Sequence, residues 1–178
     1  AAVISGTPGP LSATITDAAG NASATSSDLT ITLDEVDPTI SGTPSLSSSG
    51  AINSLVNTGD IINATVTMDE AVTVSGTPEL TLNIGGTDVV ALYVSGSGTA
   101  NLVFQYTIVS GQTDADGISI AENSINLAGG SITDIAGNTA SITHVTVSAD
   151  SDFLVDAVAP VHSITTVDAN SQTITFVY

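Results

Sequence analysis

The strongest constraint on this chain is an alternation of apolar and polar residues at every second position. Ile62, Ala64, Val66 and Met68 share one parity with polar partners between them, and Leu80, Leu82 and Ile84 repeat the pattern. Leu102, Phe104, Tyr106 and Ile108 form one face of a further segment, followed by Ile118 with Ile120, Ile125 with Leu127, and Val145 with Val147. Side chains on a strand point alternately to opposite faces, so this period builds half-buried strands; no window carries the 3.6-residue period of an amphipathic helix. Between the segments stand Gly85-Gly86, Ser95-Gly96-Ser97-Gly98, Asp116-Gly117 and Gly129-Gly130, residues suited to tight turns. Val, Ile and Thr, which suit a pleated surface, dominate the apolar stretches. The expectation is an all-β fold, an antiparallel β-sandwich. Hydrophobic residues make up 42% of the chain although aromatics are only 3%, which is enough apolar surface for a core and argues against disorder.

Charge narrows the function. The 178 residues include 18 acids, two His and no Lys or Arg, giving a formal net charge of -18. Without cations there is no basic face for nucleic acid, no Schiff-base lysine and no phosphate-binding lysine. An anionic membrane repels such a surface, and no apolar run approaches the roughly 20 residues needed to span a bilayer. The absence of Cys removes disulfides, thiolate metal sites and cysteine nucleophiles.

An internal repeat divides the chain. Ile15-Thr16-Asp17-Ala18-Ala19-Gly20-Asn21 returns as Ile132-Thr133-Asp134-Ile135-Ala136-Gly137-Asn138. Each copy is followed by a β-rich stretch and an acidic step ending in Pro, Leu33-Asp34-Glu35-Val36-Asp37-Pro38 first and Val155-Asp156-Ala157-Val158-Ala159-Pro160 second. The turn recurs after 117 residues (Asp17 to Asp134) and the linker after 122 (Asp34 to Asp156), so one short insertion separates the copies. Residues 1–34 therefore read as the last strands of a preceding module, 35–157 as a complete module and 158–178 as the first strands of a following one.

The order Thr-Asp-x-Ala-Gly-Asn, strand, acidic step, Pro resembles the bacterial Ig-like repeats of giant RTX-type adhesins and related surface proteins. Asp69-Glu70-Ala71-Val72-Thr73-Val74-Ser75-Gly76-Thr77-Pro78 and Tyr93-Val94-Ser95-Gly96-Ser97-Gly98-Thr99 are also similar to phrases of those repeats. The resemblance covers the central module and both flanking segments. It implies Ig-like β-sandwich modules in tandem, an extracellular place on a bacterial cell surface, and linkers stiffened by Ca²⁺. The chain departs from the pattern in having no Lys or Arg and in carrying Asp37 where Ala is more usual.

In an Ig-like module the linker and the loops after the second and sixth strands meet at one end. That would gather Asp34, Glu35 and Asp37 from the linker, Asp69 and Glu70 from the loop after the Ile62–Met68 strand, and Asp134 with Asn138 from the repeated turn. Carboxylate and amide oxygens are what Ca²⁺ takes as ligands, and a divalent ion would relieve their repulsion. Asp34, Asp37, Asp69, Glu70, Asp134 and Asn138 are the expected ligands. A second set of candidate Ca²⁺ ligands, Asp114, Asp116 and Asp156 with the neighbouring Asp150 and Asp152, is expected at the opposite end, where an acidic turn solvated by water is the alternative reading. Asp-x-x-Gly-Asn is also a sound turn without metal.

Catalytic arrangements are weak. His144 is expected as an exposed strand residue opposite Val145 and Val147, and no Ser-His-Asp order or His-rich metal spacing converges. The chain reads as no enzyme. The leading expectation is a spacer module of a long extracellular adhesin or surface fibre, its partners being neighbouring Ig-like modules or other copies head to tail. Two alternatives stand beside it: a self-assembling filament subunit whose ends are completed by strand exchange, and a glycan- or protein-binding β-sandwich module.

Overall fold

The computed structural model describes residues 12–29, 33–168 and 173–177; the parts of the expected flanking segments at 1–11, 30–32, 169–172 and 178 lie outside the described residues. Two compact units are present, Ala1–Val36 and Asp37–Tyr178. In the first, Thr16 bridges Ala22 across a turn opened by Asp17. That pairing continues from Ser23 N–H to the Ile15 carbonyl at 2.8 Å and from Ser26 N–H to the Ala13 carbonyl at 2.9 Å.

The second unit is all-β. Its strands are β1 (Ser45–Ser49), β2 (Leu55–Val56), β3 (Ile61–Ser75), β4 (Glu79–Ile84), β5 (Thr87–Ser95), β6 (Thr99–Thr107), β7 (Thr113–Asp114), β8 (Ile125–Asn126), β9 (Ser131–Thr133), β10 (Leu154–Asp156), β11 (Ser163–Asp168) and β12 (Thr173–Val177). Seven of them form one antiparallel sheet in the order β1-β3-β6-β5-β4-β8, with β9 added on β3. A small sheet orders β2-β10-β7, with β2 and β10 parallel, and β11 pairs β12 in a hairpin. A single 3-10 turn, Ser151–Phe153, is the only helical element among the described residues.

The alternation reaches its expected outcome in the large sheet. Ile62, Ala64, Val66 and Met68 of β3, Leu80, Leu82 and Ile84 of β4, Ala91 of β5, and Leu102 and Phe104 of β6 are all buried. Ile132 of β9, Val56 of β2, Val155 of β10 and the connecting residues Ile118, Ile120 and Ala140 belong to the same core. Two layers of strand and extended chain thus share one apolar interior, the arrangement of a β-sandwich. The β4–β5 hairpin closes on Gly85 and Gly86, both at positive φ, 56° and 81°, as a two-residue turn between twisted strands requires. A Cβ on Gly85 would overlap the Thr113 carbonyl, so this glycine serves both the turn and a close approach to β7.

Two expectations need correction. The strand that begins at Ile61 does not end at Met68; β3 runs on to Ser75, and its register with β6 breaks between Thr67 and Val72. Beyond that break Thr73, Val74 and Ser75 pair with Thr133, Ile132 and Ser131 of β9. Asp69 and Glu70 therefore lie within a bent strand rather than in a loop, and the bend re-aims the strand onto a new partner. The second correction is His144, which is buried at 7% exposure while Val145 beside it is 58% exposed. Residues 143–146 join no strand ladder, so the period-two rule has no sheet to act on there.

Phe104 sits at the centre of this core, fully buried, with the Tyr93 ring edge-on to it at a centroid distance of 5.9 Å. Truncating it leaves a cavity that rigid neighbouring strands cannot fill. Phe104→Ala should lower unfolding free energy by about 3–5 kcal/mol, measured by urea denaturation.

Candidate metal centre

The repeated motif is a turn built by its own aspartate. Asp134 follows Ile132 and Thr133 out of β9, and its Oδ1 accepts the N–H of Gly137 at 2.6 Å and of Asn138 at 2.8 Å. The Asn138 amide donates to Oδ2 at 2.7 Å, and Asp134 N–H returns to the Asn138 carbonyl at 3.1 Å. Gly137 at φ 97° lets the chain double back so tightly. The first copy has the same local design within its own unit. Asp17 Oδ1 accepts from Ala19 N–H and Asn21 N–H, at 2.9 and 2.8 Å, and Oδ2 accepts from the Asn21 amide at 2.9 Å. Asp and Asn four residues apart thus close each copy by side chain and main chain together.

These hydrogen bonds set the charge state. Burial pushes the Asp134 carboxyl up, but the Asn138 side chain and the amides of Asn138, Gly137 and Ala136 outweigh it and hold the group below the usual carboxylate range. Asp17 is held low chiefly by the Asn21 side chain and amide. Asp69 is held low by the amide and hydroxyl of Thr39, whose distances to its two oxygens are 2.8 and 2.7 Å. All three remain anionic at neutral pH.

Within the second unit the bend in β3 brings Glu70 toward Asp134. Glu70 keeps the inward parity of Met68 and Val72, and the Thr73–Thr133 pairing carries the start of the turn back toward it. Carboxylate oxygens of the two residues lie within 4.8 Å of one another, with Asp134 buried and Glu70 half-buried. Two oxygens on one Ca²⁺, each at 2.3–2.6 Å, stand at most about 5 Å apart, so the pair matches the span of a shared ion. No Lys or Arg is available to neutralise it. The residues fit a hard divalent cation.

Other expected ligands are placed differently. Asp69, on the outward parity, uses both oxygens on Thr39 and so pins residues 38–41 to β3. Pro38 and Thr39 are further held from the opposite side, where Ser141 N–H meets the Pro38 carbonyl at 2.8 Å and Thr39 bridges Ser141 in parallel. Asp37 is exposed. Asp34 accepts from Val36 N–H at 3.1 Å. At the second cluster Asp114 is buried at 4% exposure and turned inward. Its Oδ2 accepts Gly85 N–H at 2.7 Å, and its Oδ1 accepts Gly117 N–H at 2.8 Å and Asp116 N–H at 3.2 Å. Asp156 accepts from Val158 N–H at 3.2 Å. Among the described residues Asp114, Asp116 and Asp156 form no three-acid group.

Sequence reasoning missed Asp114 as an anchor between the β4–β5 hairpin and the 114–117 turn. The signal was present: Asp114-x-x-Gly117 has the spacing of Asp134-x-x-Gly137 and Asp17-x-x-Gly20, the pattern of a carboxylate that caps the amide three residues on. Thr39, the partner that makes Asp69 structural, carried no signal because it lies 30 residues away.

Removing the Asp114 carboxylate strands buried amides, each worth about 1–3 kcal/mol. Asp114→Ala should therefore destabilise the second unit by at least that much in urea melts. Acid should act through the low-titrating carboxylates. Their folded values lie below the ordinary value of about 3.9, so their contribution is complete above that value and is lost as pH falls through the folded values. Urea midpoints should fall below about pH 4, and Asp69→Asn should shallow that fall.

The chain matches no protein-family model, no curated protein and no solved structure.

Proposed function

We propose that this protein is a structural spacer in a long extracellular bacterial adhesin or surface fibre, built of Ig-like modules in tandem and stiffened by Ca²⁺ at the linker. The observation that carries the reading is the Glu70–Asp134 pair, whose oxygens lie within 4.8 Å in a chain with no Lys or Arg. An anionic pair on the bend of β3 is costly alone and favourable around a cation.

Asp37, two residues before the Thr39 that Asp69 holds in place, and the Asn138 amide, in the turn that Asp134 opens, are near enough in sequence to these anchors to add oxygens. Ca²⁺ suits the set better than Mg²⁺, because it accepts irregular shells of carboxylates, carbonyls and water. An ion shared by linker and module would replace a free hinge by a fixed angle, which is how a string of modules gains reach. The uniform negative charge would keep neighbouring fibres apart.

The role asks nothing of a catalytic group, and the module acts by shape and stiffness. Thermal melts with EDTA, millimolar Ca²⁺ and millimolar Mg²⁺ test the reading. Ca²⁺ at a hundred times its dissociation constant should raise Tm by roughly 5–10 °C, with Mg²⁺ giving little. Glu70→Gln removes one of two like charges without touching the Asp134 turn. It should abolish the Ca²⁺ response. Equal Ca²⁺ responses in parent and variant, or none in the parent, would overturn the metal centre.

A further inference from the structure

We propose that the hairpin at residues 13–26 is a docking edge for the second half of a β3-type strand carried by another module of the same repeat. Ile15 takes there the place opposite Val74 that Ile132 holds in the second unit. The docking presupposes the tandem modules proposed above and needs no metal.

The two copies of the repeated turn share one backbone. Thr16 bridges Ala22 as Thr133 bridges Thr139, the same antiparallel pairing shifted by 117 residues. Asp17 N–H meets the Asn21 carbonyl at 2.9 Å, and Asp134 N–H meets the Asn138 carbonyl at 3.1 Å. Ser23 N–H meets the Ile15 carbonyl at 2.8 Å, and Ala140 N–H meets the Ile132 carbonyl at 2.9 Å. Gly20 and Gly137 turn the chain at φ 92° and 97°. The hairpins are therefore equivalent position by position from Ile15 to Ser23 and from Ile132 to Ala140.

Their surroundings differ. Ile132 is 1% exposed, whereas Ile15 is 78% exposed. Asp134 and Ala140 are buried, while Asp17 and Ser23 are exposed. In the second unit the cover comes from β3, whose Thr73, Val74 and Ser75 pair with Thr133, Ile132 and Ser131. The Ile132 carbonyl faces Ala140, so the alternation of backbone groups along a strand turns those of Ser131 and Thr133 toward β3. In the first copy the Ile15 carbonyl faces Ser23 in the same way. The N–H and C=O groups of Thr14 and Thr16 then point outward, with no partner among the described residues. An open row of backbone donors and acceptors beside an exposed isoleucine is a template for one more strand.

The second unit also shows what the occupant is. It is an antiparallel, uncharged Thr-Val-Ser stretch, with its valine against the isoleucine. Lack of charge matters in a chain without Lys or Arg, where an acidic strand would be repelled. The hairpin's own acid, Asp17, is already held by the N–H and side-chain amide of Asn21, so a neutral strand meets no bare carboxylate. The β3 of the second unit is filled by β9, so the partner is a module body whose β3 edge is open at this point.

Amide exchange read by NMR in EDTA tests the docking. In the unaltered full chain Thr14 and Thr16 should exchange within about tenfold of their intrinsic rates, while Ser131 and Thr133 are protected. Adding a copy of residues 37–130 ahead of Ala1 supplies a body with an open β3 edge, and a connection of the length of residues 1–13 costs little. Thr14 and Thr16 should then gain at least about a hundredfold in protection, and Ile15 should show nuclear Overhauser contacts to a valine. Val74→Asp in the added copy alone should return both amides to the exchange of the unaltered chain. Protection of Thr14 and Thr16 in the unaltered chain, an extended chain in which they stay open, or protection that survives Val74→Asp would overturn the docking. The Ca²⁺ response of the unaltered chain is read separately, so failure of the metal centre and failure of the docking are told apart.

Discussion

Every carboxylate in this chain must find its partners without a cationic side chain, and much of the local structure follows from that. With Lys and Arg absent, the backbone amide is the main source of positive potential. Asp17, Asp114 and Asp134 each gather two or more N–H groups of the residues that follow them. Asp69 accepts one N–H and one hydroxyl across the fold, both from Thr39. Such bonds are local, short and charge-assisted, and they turn an acid that would otherwise disfavour burial into the organiser of a loop. Buried side-chain polar atoms without a hydrogen-bond partner are absent among the described residues.

Against this background Glu70 and Asp134 stand apart because two anions approach each other. The approach is a consequence of strand geometry. β3 leaves β6 after Thr67, bends, and takes β9 as its partner, which carries an inward position of β3 toward the first residue of the repeated turn. A core-facing parity that holds Met68 and Val72 holds Glu70 between them. An acid at that position brings a second carboxylate within 4.8 Å of Asp134. The turn is closed by bonds within the motif, and the copy at Asp17 shares the Asn amide and Asn N–H bonds to its Asp.

Much of the fold was legible from residues alone, and the failures have specific causes. The alternation at 62–68, 80–84 and 102–104 located the core because those segments lie in ladders, where each residue's face is set by its neighbour's. At 143–146 the same logic misplaced His144, because no ladder runs there and the side chain's place is decided by Asn123, Ser124 and Val145. The acidic residues were visible as clusters, but not their division of labour. Asp114 and Asp116 are two residues apart with similar neighbours, yet one is turned inward onto Gly85 and the other is exposed.

The sequence by itself determined the fold class, the strand faces and the repeated Asp-x-x-Gly-Asn turn. All of these rest on interactions between residues within a few positions, where side-chain period and local hydrogen bonding leave little choice. Only the tertiary structure decided which acids are anchors and which are paired. It also decided that β3 changes partners at its bend and that His144 is an interior acceptor. These depend on contacts between residues 20 to 64 positions apart, such as His144 with Ser124, Thr39 with Asp69 and Glu70 with Asp134. Nothing in the local chemistry of either partner names the other, because the chain brings them together only when its strands pack.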